Sequence, residues 1–481
     1  MNYRIILFLL GNILRVEAIF MLPAVLVSYA YQEWHMGNSF AVTILLLLTA
    51  SLVGGRKHPE KIRFYAREGL VVVALVWVVV SLFGALPFYI SGEIPHYVDA
   101  LFEIVSGFTT TGASILTNVE AMPHGLLYWR SFSHWLGGMG VLVFLLAILP
   151  MAKGTGYSMH IMRAESPGPQ VGKLMPKMRQ TATVLYSIYV GLTILQFILL
   201  VLGGMPLFDS VCTAFGTAGT GGFGVKNDSM AGYAPHLQWN VTIFMALFGI
   251  NFNIFFLLIL REFSKAFSNE ELRAYLGLMI GAGALITMDI LPLYGTVSHA
   301  MRDAFFQVSS VMTTTGFATA DFNLWPEFSR TILVLLMVVG ASAGSTGGGI
   351  KVARLLLLIK NARRGIQKVL SPRTIKLVRM DGATVEDDTI NSLNIYMAVY
   401  CLILTISMLL ISIDNFSLET NLTAVLACLN NIGPGLGNVG PTGNFSEFSV
   451  FSKLVLSLNM LIGRLEIFPM LILMFPSTWK N

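Results

Sequence analysis

The sequence predicts an all-α polytopic membrane protein. Two leading transmembrane helices are followed by four repeats of helix, short re-entrant piece and helix, set with pseudo-fourfold symmetry about one central axis. Three observations predict it: a composition too apolar for water, ten apolar stretches of spanning length, and a short glycine-ended segment that recurs four times. Of 481 residues, 55% are hydrophobic and only 12% charged, about half the roughly 25% usual in soluble chains. Mean hydropathy is +0.70. The 57 charged side chains cannot coat a soluble fold of this size. A water-soluble enzyme, a nucleic-acid binder and a disordered chain are therefore excluded. Cys212, Cys401 and Cys428 are too few and too scattered for a disulfide framework or a metal site.

A bilayer core takes about 20 apolar residues per helix. Stretches of that kind lie at roughly 5–31, 39–55, 69–91, 131–152, 181–204, 237–262, 273–296, 328–350, 391–412 and 449–475. The first lacks a small-residue cleavage site and reads as a retained span. Connections 56–68, 153–179, 261–273 and 351–379 carry 5, 5, 3 and 9 Lys/Arg, which is 22 of the chain's 31. The positive-inside rule places all four in the cytoplasm, and with ten spans both termini as well. The basic pI then needs no nucleic acid as partner. The run Lys360, Arg363, Arg364, Lys368, Arg373, Lys376 and Arg379 sets topology, and on a sharper reading also offers a docking surface for a cytosolic protein.

The outer connections contain apolar pieces too short to span, at 99–110, 209–219, 303–314 and 421–432. They read as half-helices that enter and return. Each ends in a strip: Thr109-Thr110-Thr111-Gly112-Ala113, Gly219-Thr220-Gly221-Gly222-Phe223, Thr313-Thr314-Thr315-Gly316-Phe317 and Ile432-Gly433-Pro434-Gly435-Leu436. Asp99, Asp209 and Asp303 each lie 13 residues before Gly112, Gly222 and Gly316, and Asn421 lies 14 before Gly435. The shared spacing selects Gly222 over Gly221, and the acids read as N-caps.

Bare backbone at membrane depth is tolerated only when protein-buried or lining a water-filled cavity. A ring of carbonyls can replace the hydration shell of a monovalent cation. Glycine permits the dihedrals that aim successive carbonyls one way, and threonine hydroxyls add oxygens. Four half-helix C-termini converging on one axis also favour a cation there. The candidate ion-binding set is Thr110, Thr111, Gly112, Thr220, Gly221, Gly222, Thr314, Thr315, Gly316, Gly433, Pro434 and Gly435.

The chain resembles the Trk/Ktr/HKT superfamily of potassium and sodium translocating proteins, and within it the bacterial TrkH/TrkG type. The likeness rests on Ser106-Gly107-Phe108-Thr109-Thr110-Thr111-Gly112-Ala113, His134-Trp135-Leu136-Gly137-Gly138-Met139-Gly140, Asn430-Asn431-Ile432-Gly433-Pro434-Gly435-Leu436-Gly437 and Gly463-Arg464-Leu465-Glu466, with two extra leading spans. It implies four membrane–pore-loop–membrane units around one pathway in a multi-pass protein of the bacterial cytoplasmic membrane. It also implies a homodimer with one pore per subunit, and a cytosolic TrkA-type nucleotide-binding regulatory ring. Glycine at all four key positions (here Gly112, Gly222, Gly316 and Gly435) goes with potassium in that family, and serine at the first goes with sodium. The transported ion is thus expected to be K+, a sodium-permeable or sodium-preferring conductor being the alternative, with no organic cofactor. The corresponding units are 1–60 for the leading helices and 61–155, 156–268, 269–365 and 366–481 for pore repeats one to four.

Two features lie inside the strips. Segment 340–350 has five glycines, Gly340, Gly344, Gly347, Gly348 and Gly349, each costing about 1 kcal/mol relative to Ala in a helix. The helix must break there. The segment, with Ser345, Thr346 and the following Lys351, reads as an intramembrane gating loop, the plainer alternative being a close-packing patch of small residues. Arg464 sits near the middle of the last stretch, where a charge costs at least roughly 2.5–3.5 kcal/mol. It reads as a positive barrier near the axis, or else as a structural partner for backbone carbonyls or a carboxylate. Glu466, two residues on, faces elsewhere on a helix. Arg15 and Glu17 form a similar pair in the first span, read as a packing or dimer contact remote from the axis.

Three motifs are decoys. Gly340-Ala341-Ser342-Ala343-Gly344 matches a nucleophile elbow but lies in an apolar stretch without a strand, leaving an intramembrane hydrolase using Ser342 as a remote alternative. Gly435 to Gly440 matches a dinucleotide fingerprint without a βαβ unit. Gly344 to Lys351 resembles a phosphate loop, but Ile350 precedes the lysine and no Ser/Thr follows it.

Overall fold

The computed structural model describes residues 3–55, 66–138, 140, 178–373 and 376–479. Helices α1 (Tyr3–Ala30) and α2 (Trp34–Gly55) form the leading pair. Glu33 between them accepts hydrogen bonds from the backbone N–H groups of His124 and Gly125, at 2.8 and 3.0 Å. That carboxylate fastens the pair to the positive start of the helix His124–Gly138.

Repeat one comprises α3 (Ala66–Gly84), the short α4 (Leu86–Ile90), half-helix α5 (Tyr97–Phe108) and α6 (His124–Gly138). Repeat two has α7 (Met178–Leu202), half-helix α8 (Leu207–Gly219), then α9 (Pro235–Phe248) and α10 (Phe252–Ile259). After the short α11 (Phe263–Ser268), repeat three has α12 (Glu270–Tyr294), half-helix α13 (Val297–Met312), α14 (Glu327–Val339) and α15 (Val352–Leu370). Repeat four has α16 (Asp387–Ile411), half-helix α17 (Leu418–Leu429), then α18 (Val450–Arg464) and α19 (Phe468–Met474), with α20 (Pro476–Trp479) at the end. Outward side chains such as Leu26, Leu45, Leu202, Ile280, Met288 and Leu409 are apolar yet exposed, as a lipid-facing surface requires.

Among the described residues six helices are long and apolar enough to cross a membrane, or seven if α9 and α10, bent by 92°, count as one span. The expected spans 237–262, 328–350 and 449–475 are therefore not continuous helices. Their second halves depart at Gly249–Asn251, at Gly340–Lys351 and at Leu465–Ile467. Each break lies where the helix meets the inner end of a strip. The span expected at 131–152 begins earlier, at His124; its residues 141–152 lie outside the described residues. So do Met139, most of loops 56–68 and 153–179, and the unit boundaries at 60/61 and 155/156. The boundary expected at 365/366 falls inside α15, which runs unbroken to Leu370.

The fold is not purely helical. Strands β1 (Arg379–Met380) and β2 (Ala383–Thr384) form a hairpin between α15 and α16. Asp381 and Gly382 both take positive φ, +50° and +79°, as a two-residue turn of this type demands. The Asp381 carboxylate accepts from Glu270 N at 2.7 Å and Asn269 Nδ2 at 2.8 Å.

Candidate ion-conduction site

At 12, 13, 16 and 12 residues, the half-helices α5, α8, α13 and α17 cannot span. All four stop by the same turn. Thr110, Thr220, Thr314 and Asn431 adopt left-handed φ of +55°, +54°, +58° and +57°. The next residue's N–H then reaches back five residues. Thr111 N donates to Ser106 O at 2.9 Å, and Gly221 N to Gly216 O, Thr315 N to Ser310 O and Ile432 N to Ala427 O at 2.8 Å each. This is a Schellman closure. Its left-handed residue is usually glycine, and a β-branched threonine there is strained.

Two residues beyond each left-handed residue comes a second positive φ, at Gly112 (+82°), Gly222 (+75°), Gly316 (+90°) and Gly433 (+98°). This pattern sets the register of the strips and corrects one assignment. In repeat four the residue equivalent to Gly112 is Gly433, not Gly435. Gly435 lies in the outward stretch beyond, where its N–H donates to Val439 O at 2.7 Å. The sequence spacing misled because repeat four has no Asp from which to count, and Asn431 stands where the other repeats have threonine.

The strips also close into a ring. A Cβ on Gly112 would lie 2.1 Å from Gly221 O, one on Gly222 2.0 Å from Thr315 O, one on Gly316 2.2 Å from Ile432 O, and one on Gly433 2.8 Å from Thr111 O. Each glycine thus abuts the carbonyl that precedes the key glycine of the next strip, in the order one, two, three, four and back to one. No side chain fits between them. Around the ring, Thr109 and Thr111 share a hydroxyl hydrogen bond of 2.8 Å, and Thr313 and Thr315 one of 2.7 Å. Strips two and four have no such pair, so the chemistry alternates between opposite sides.

The acids expected as N-caps do not cap. The N-cap positions are His96, Pro206 and Thr296, and Asp303 is the seventh residue of α13. Instead Asp99 accepts from Lys453 Nζ at 2.7 Å, Asp209 from Tyr233 Oη at 2.7 Å and Asp303 from Thr319 Oγ1 at 3.1 Å. They brace the half-helices laterally. Ser417 caps α17, accepting from Thr420 N at 3.2 Å.

A buried ion pair stands behind the ring. Arg130 Nε donates to Glu103 Oε1 at 2.5 Å, and both residues are almost wholly buried. Glu103 also accepts from Ser114 Oγ and from Ile115 N, just beyond strip one. Arg130 Nη1 reaches Gly224 O at 2.9 Å, just beyond strip two, and its guanidinium lies 3.6 Å over the ring of Phe223, the last residue of that strip. The pair ties two strips together. Removing one partner of such a pair costs about 3–5 kcal/mol, so Arg130→Ala is expected to lower the thermal denaturation midpoint of the detergent-purified protein sharply.

Inside the ring lies segment 340–351. Its Gly348 N donates to Thr314 Oγ1 at 2.6 Å, so the strained threonine holds the loop directly. Cβ atoms on Gly347 and Gly348 would meet Thr313 O at 2.8 Å and Asn430 O at 2.3 Å. The loop therefore crosses beneath strips three and four. It also binds the break in repeat two: Ser342 N donates to Gly249 O, and Phe252 N to Gly344 O, both at 3.1 Å. Glu271 Oε1 accepts from Ala343 N at 2.6 Å and Ala353 N at 3.1 Å, latching both arms of the loop. Losing these charge-assisted bonds, about 1.5–3 kcal/mol each, is expected to free the loop. Glu271→Ala should raise regulator-independent ion flux by roughly tenfold, measured as rubidium uptake into proteoliposomes. Glu271→Gln, which keeps the accepting oxygen, should raise it far less.

Arg464 does not lie in the middle of a continuous helix. It is the last residue of α18, and the chain turns at Glu466 (φ +52°) and Ile467 (φ +73°). Its guanidinium donates to Thr346 O at 2.9 Å and to Gly137 O at 2.6 Å. It thus clamps the loop of repeat three to repeat one. Because the helix has ended, Glu466 is free to face elsewhere and pairs with Arg354 near the start of α15. Arg354 also lies 4.3 Å over the Tyr396 ring. Arg15 binds Ser51 Oγ at 2.6 Å, away from the strips, while Glu17 is buried beside Gly84. Among the described residues the Ser342 hydroxyl is buried without a hydrogen-bond partner.

Sequence reasoning missed Asn431, Glu103–Arg130, Glu271, Arg354–Glu466 and the break at Gly249–Asn251. Glu103 and Arg130 carried a usable signal, being opposite charges inside otherwise apolar segments. Glu271 carried none, since an acid in a first helical turn is ordinary.

A family model described as TrkH, cation transport protein, matches residues 37–281 and 294–480. The chain belongs to the TrkH family. It is a member of a family of transport proteins, not an enzyme. Its TrkH relatives include the Trk system potassium uptake protein TrkH of Salmonella typhimurium LT2, 35% identical over 493 residues with both chains wholly covered. The Trk system potassium uptake protein TrkG of Escherichia coli K12 is 30% identical, covering 100% of this chain and 99% of its own. Among solved structures, the potassium transporter TrkH from Vibrio parahaemolyticus superposes with a TM-score of 0.89 at 31% identity, covering both chains completely.

Proposed function

We propose that this TrkH-family chain is the membrane subunit of a potassium uptake system. K+ enters the cell through the ring of strip carbonyls, the 340–351 loop gates it, and a cytosolic nucleotide-binding ring of the TrkA type controls the loop. One observation carries the reading: four glycines pressed in cyclic order against the carbonyls of the next strip. Such a ring replaces a hydration shell, and the half-helix C-termini add negative potential at its inner end. Relatives matched along essentially their whole length are named for potassium uptake. Inward passage needs no energy source beyond the membrane potential. A field of 100 mV supplies about 2.3 kcal/mol per ion, roughly 50-fold accumulation.

Control from the cytosol is supported by α15. Its far end exposes Ile366, Val369 and Leu370 among Arg363, Arg364 and Lys368, a mixed surface suited to a protein partner. Its near end holds Arg354, joined to Glu466 beside Arg464. A pull on α15 therefore reaches both the loop and its clamp. The protein acts in the cytoplasmic membrane with both termini inside, as a homodimer.

The test is growth of a potassium-uptake-deficient bacterium on low-potassium medium, with and without a TrkA-type partner. Rescue is expected, strongest with the partner. No rescue in either case, despite verified membrane insertion, overturns the reading. Preferential sodium over rubidium uptake replaces it with the sodium-preferring alternative.

A further inference from the structure

Lys351 opens α15 with φ +74°, an unusual conformation for a residue with a side chain. It turns the chain so that the ammonium folds back over the loop. Nζ donates to Gly347 O and to Gly348 O, the latter at 3.1 Å. The lysine is buried, and among the described residues it makes no ion pair with a carboxylate. The preceding carbonyl, Thr346 O, accepts from Arg464. Three successive carbonyls of one loop are thus each satisfied by a tethered cation.

These carbonyls lie directly inside the ring, since Gly348 N is bonded to Thr314 Oγ1 and Gly347 abuts Thr313 O. An ammonium group and a potassium ion are similar in size and both bind carbonyl oxygens. A backbone pair that holds one therefore suits the other. We propose that Gly347 O and Gly348 O form an inner binding site for a monovalent alkali cation, which the Lys351 ammonium occupies in this conformation and which a permeating ion takes over when the ammonium withdraws. This rests on the conduction reading above and deepens it. The loop is then a competitive gate: a cation on its inner side favours opening by displacing the lysine. It also supplies the weak second site that lets ions leave a filter by mutual displacement.

The test uses the full-length protein with thallium as a potassium surrogate, located by its anomalous signal in crystals of the wild type, Lys351→Met and Lys351→Gln. Thallium is expected in the ring of all three, and on Gly347 O and Gly348 O only in the two variants. Glutamine keeps a donor for the loop, which guards against misfolding of the methionine variant. Thallium in the ring but none at the loop of either variant overturns the inference and leaves the conduction reading intact. Thallium absent from the ring in every protein overturns both. In proteoliposomes, half-maximal promotion of rubidium flux by internal K+ should need about tenfold less K+ in Lys351→Met, the lower end expected for losing a charge-assisted hydrogen bond. Identical dependence in variant and wild type overturns the competition.

Discussion

Gly112→Ser is expected to remove most of the preference for potassium over sodium while leaving the protein folded and inserted. A serine Cβ at this position would sit 2.1 Å from Gly221 O and must also adopt φ +82°. Either the neighbouring carbonyl turns away or strip one retreats, and in both cases one oxygen layer loses its geometry. Discrimination should fall at least tenfold, the equivalent of about 1.4 kcal/mol. Competing rubidium and sodium uptake into proteoliposomes measures it, and an unchanged ratio rejects the ring as the filter. The same experiment settles register in repeat four. Gly433→Ala would drive a methyl into Thr111 O at 2.8 Å and the Gly112 backbone at 3.0 Å, at φ +98°, whereas Gly435→Ala meets only the side chains of Thr423 and Val439. Selectivity should collapse for Gly433→Ala and largely survive in Gly435→Ala.

Arg464→Ala is expected to give ion flux that no longer needs the cytosolic partner. The guanidinium holds Thr346 O at 2.9 Å and Gly137 O at 2.6 Å. Hydrogen bonds to a charged group are worth about 1.5–3 kcal/mol each. Losing both, together with the positive charge beneath the ring, should raise partner-independent rubidium uptake by at least tenfold. Arg464→Lys, which cannot bridge two carbonyls with a planar fork, should lie between. Flux in Arg464→Ala that stays at the wild-type basal level would show that the clamp does not limit passage.

The fourfold plan was legible because it depends on features that a sequence displays: apolar length, loop charge, and glycine recurring at fixed distance from a half-helix. Gly112, Gly222 and Gly316 could be matched by counting from Asp99, Asp209 and Asp303. The count worked although those acids do not cap their helices, since lateral bracing by Lys453, Tyr233 and Thr319 fixes their positions just as firmly. Repeat four lacks that guide, and spacing alone points to Gly435 where backbone dihedrals give Gly433. Hydropathy predicts continuous spans at 237–262 and 449–475 because it averages over a three-residue break. The Arg464 clamp was legible as an anomaly, a charge inside an apolar stretch, but its partners were not. Thr346 and Gly137 offer main-chain oxygens, which every residue has.

The long inner interruption belongs to one repeat. Of the three repeats described through this level, repeats two and four interrupt their inner helices by only three residues, at Gly249–Asn251 and Leu465–Ile467, while repeat three inserts the twelve-residue segment Gly340–Lys351. Closure on the proposed reading would be a latch swung from one jamb, unlike an iris drawn in equally from every side. On the proposed reading, a partner outside the membrane would act through a single lever, α15. Because the Gly340–Lys351 segment is bonded to Thr314 Oγ1, to Gly249 O and, through Arg464, to Gly137 O, its release on the proposed reading would be felt by the neighbouring repeats and by the dehydrating collar itself.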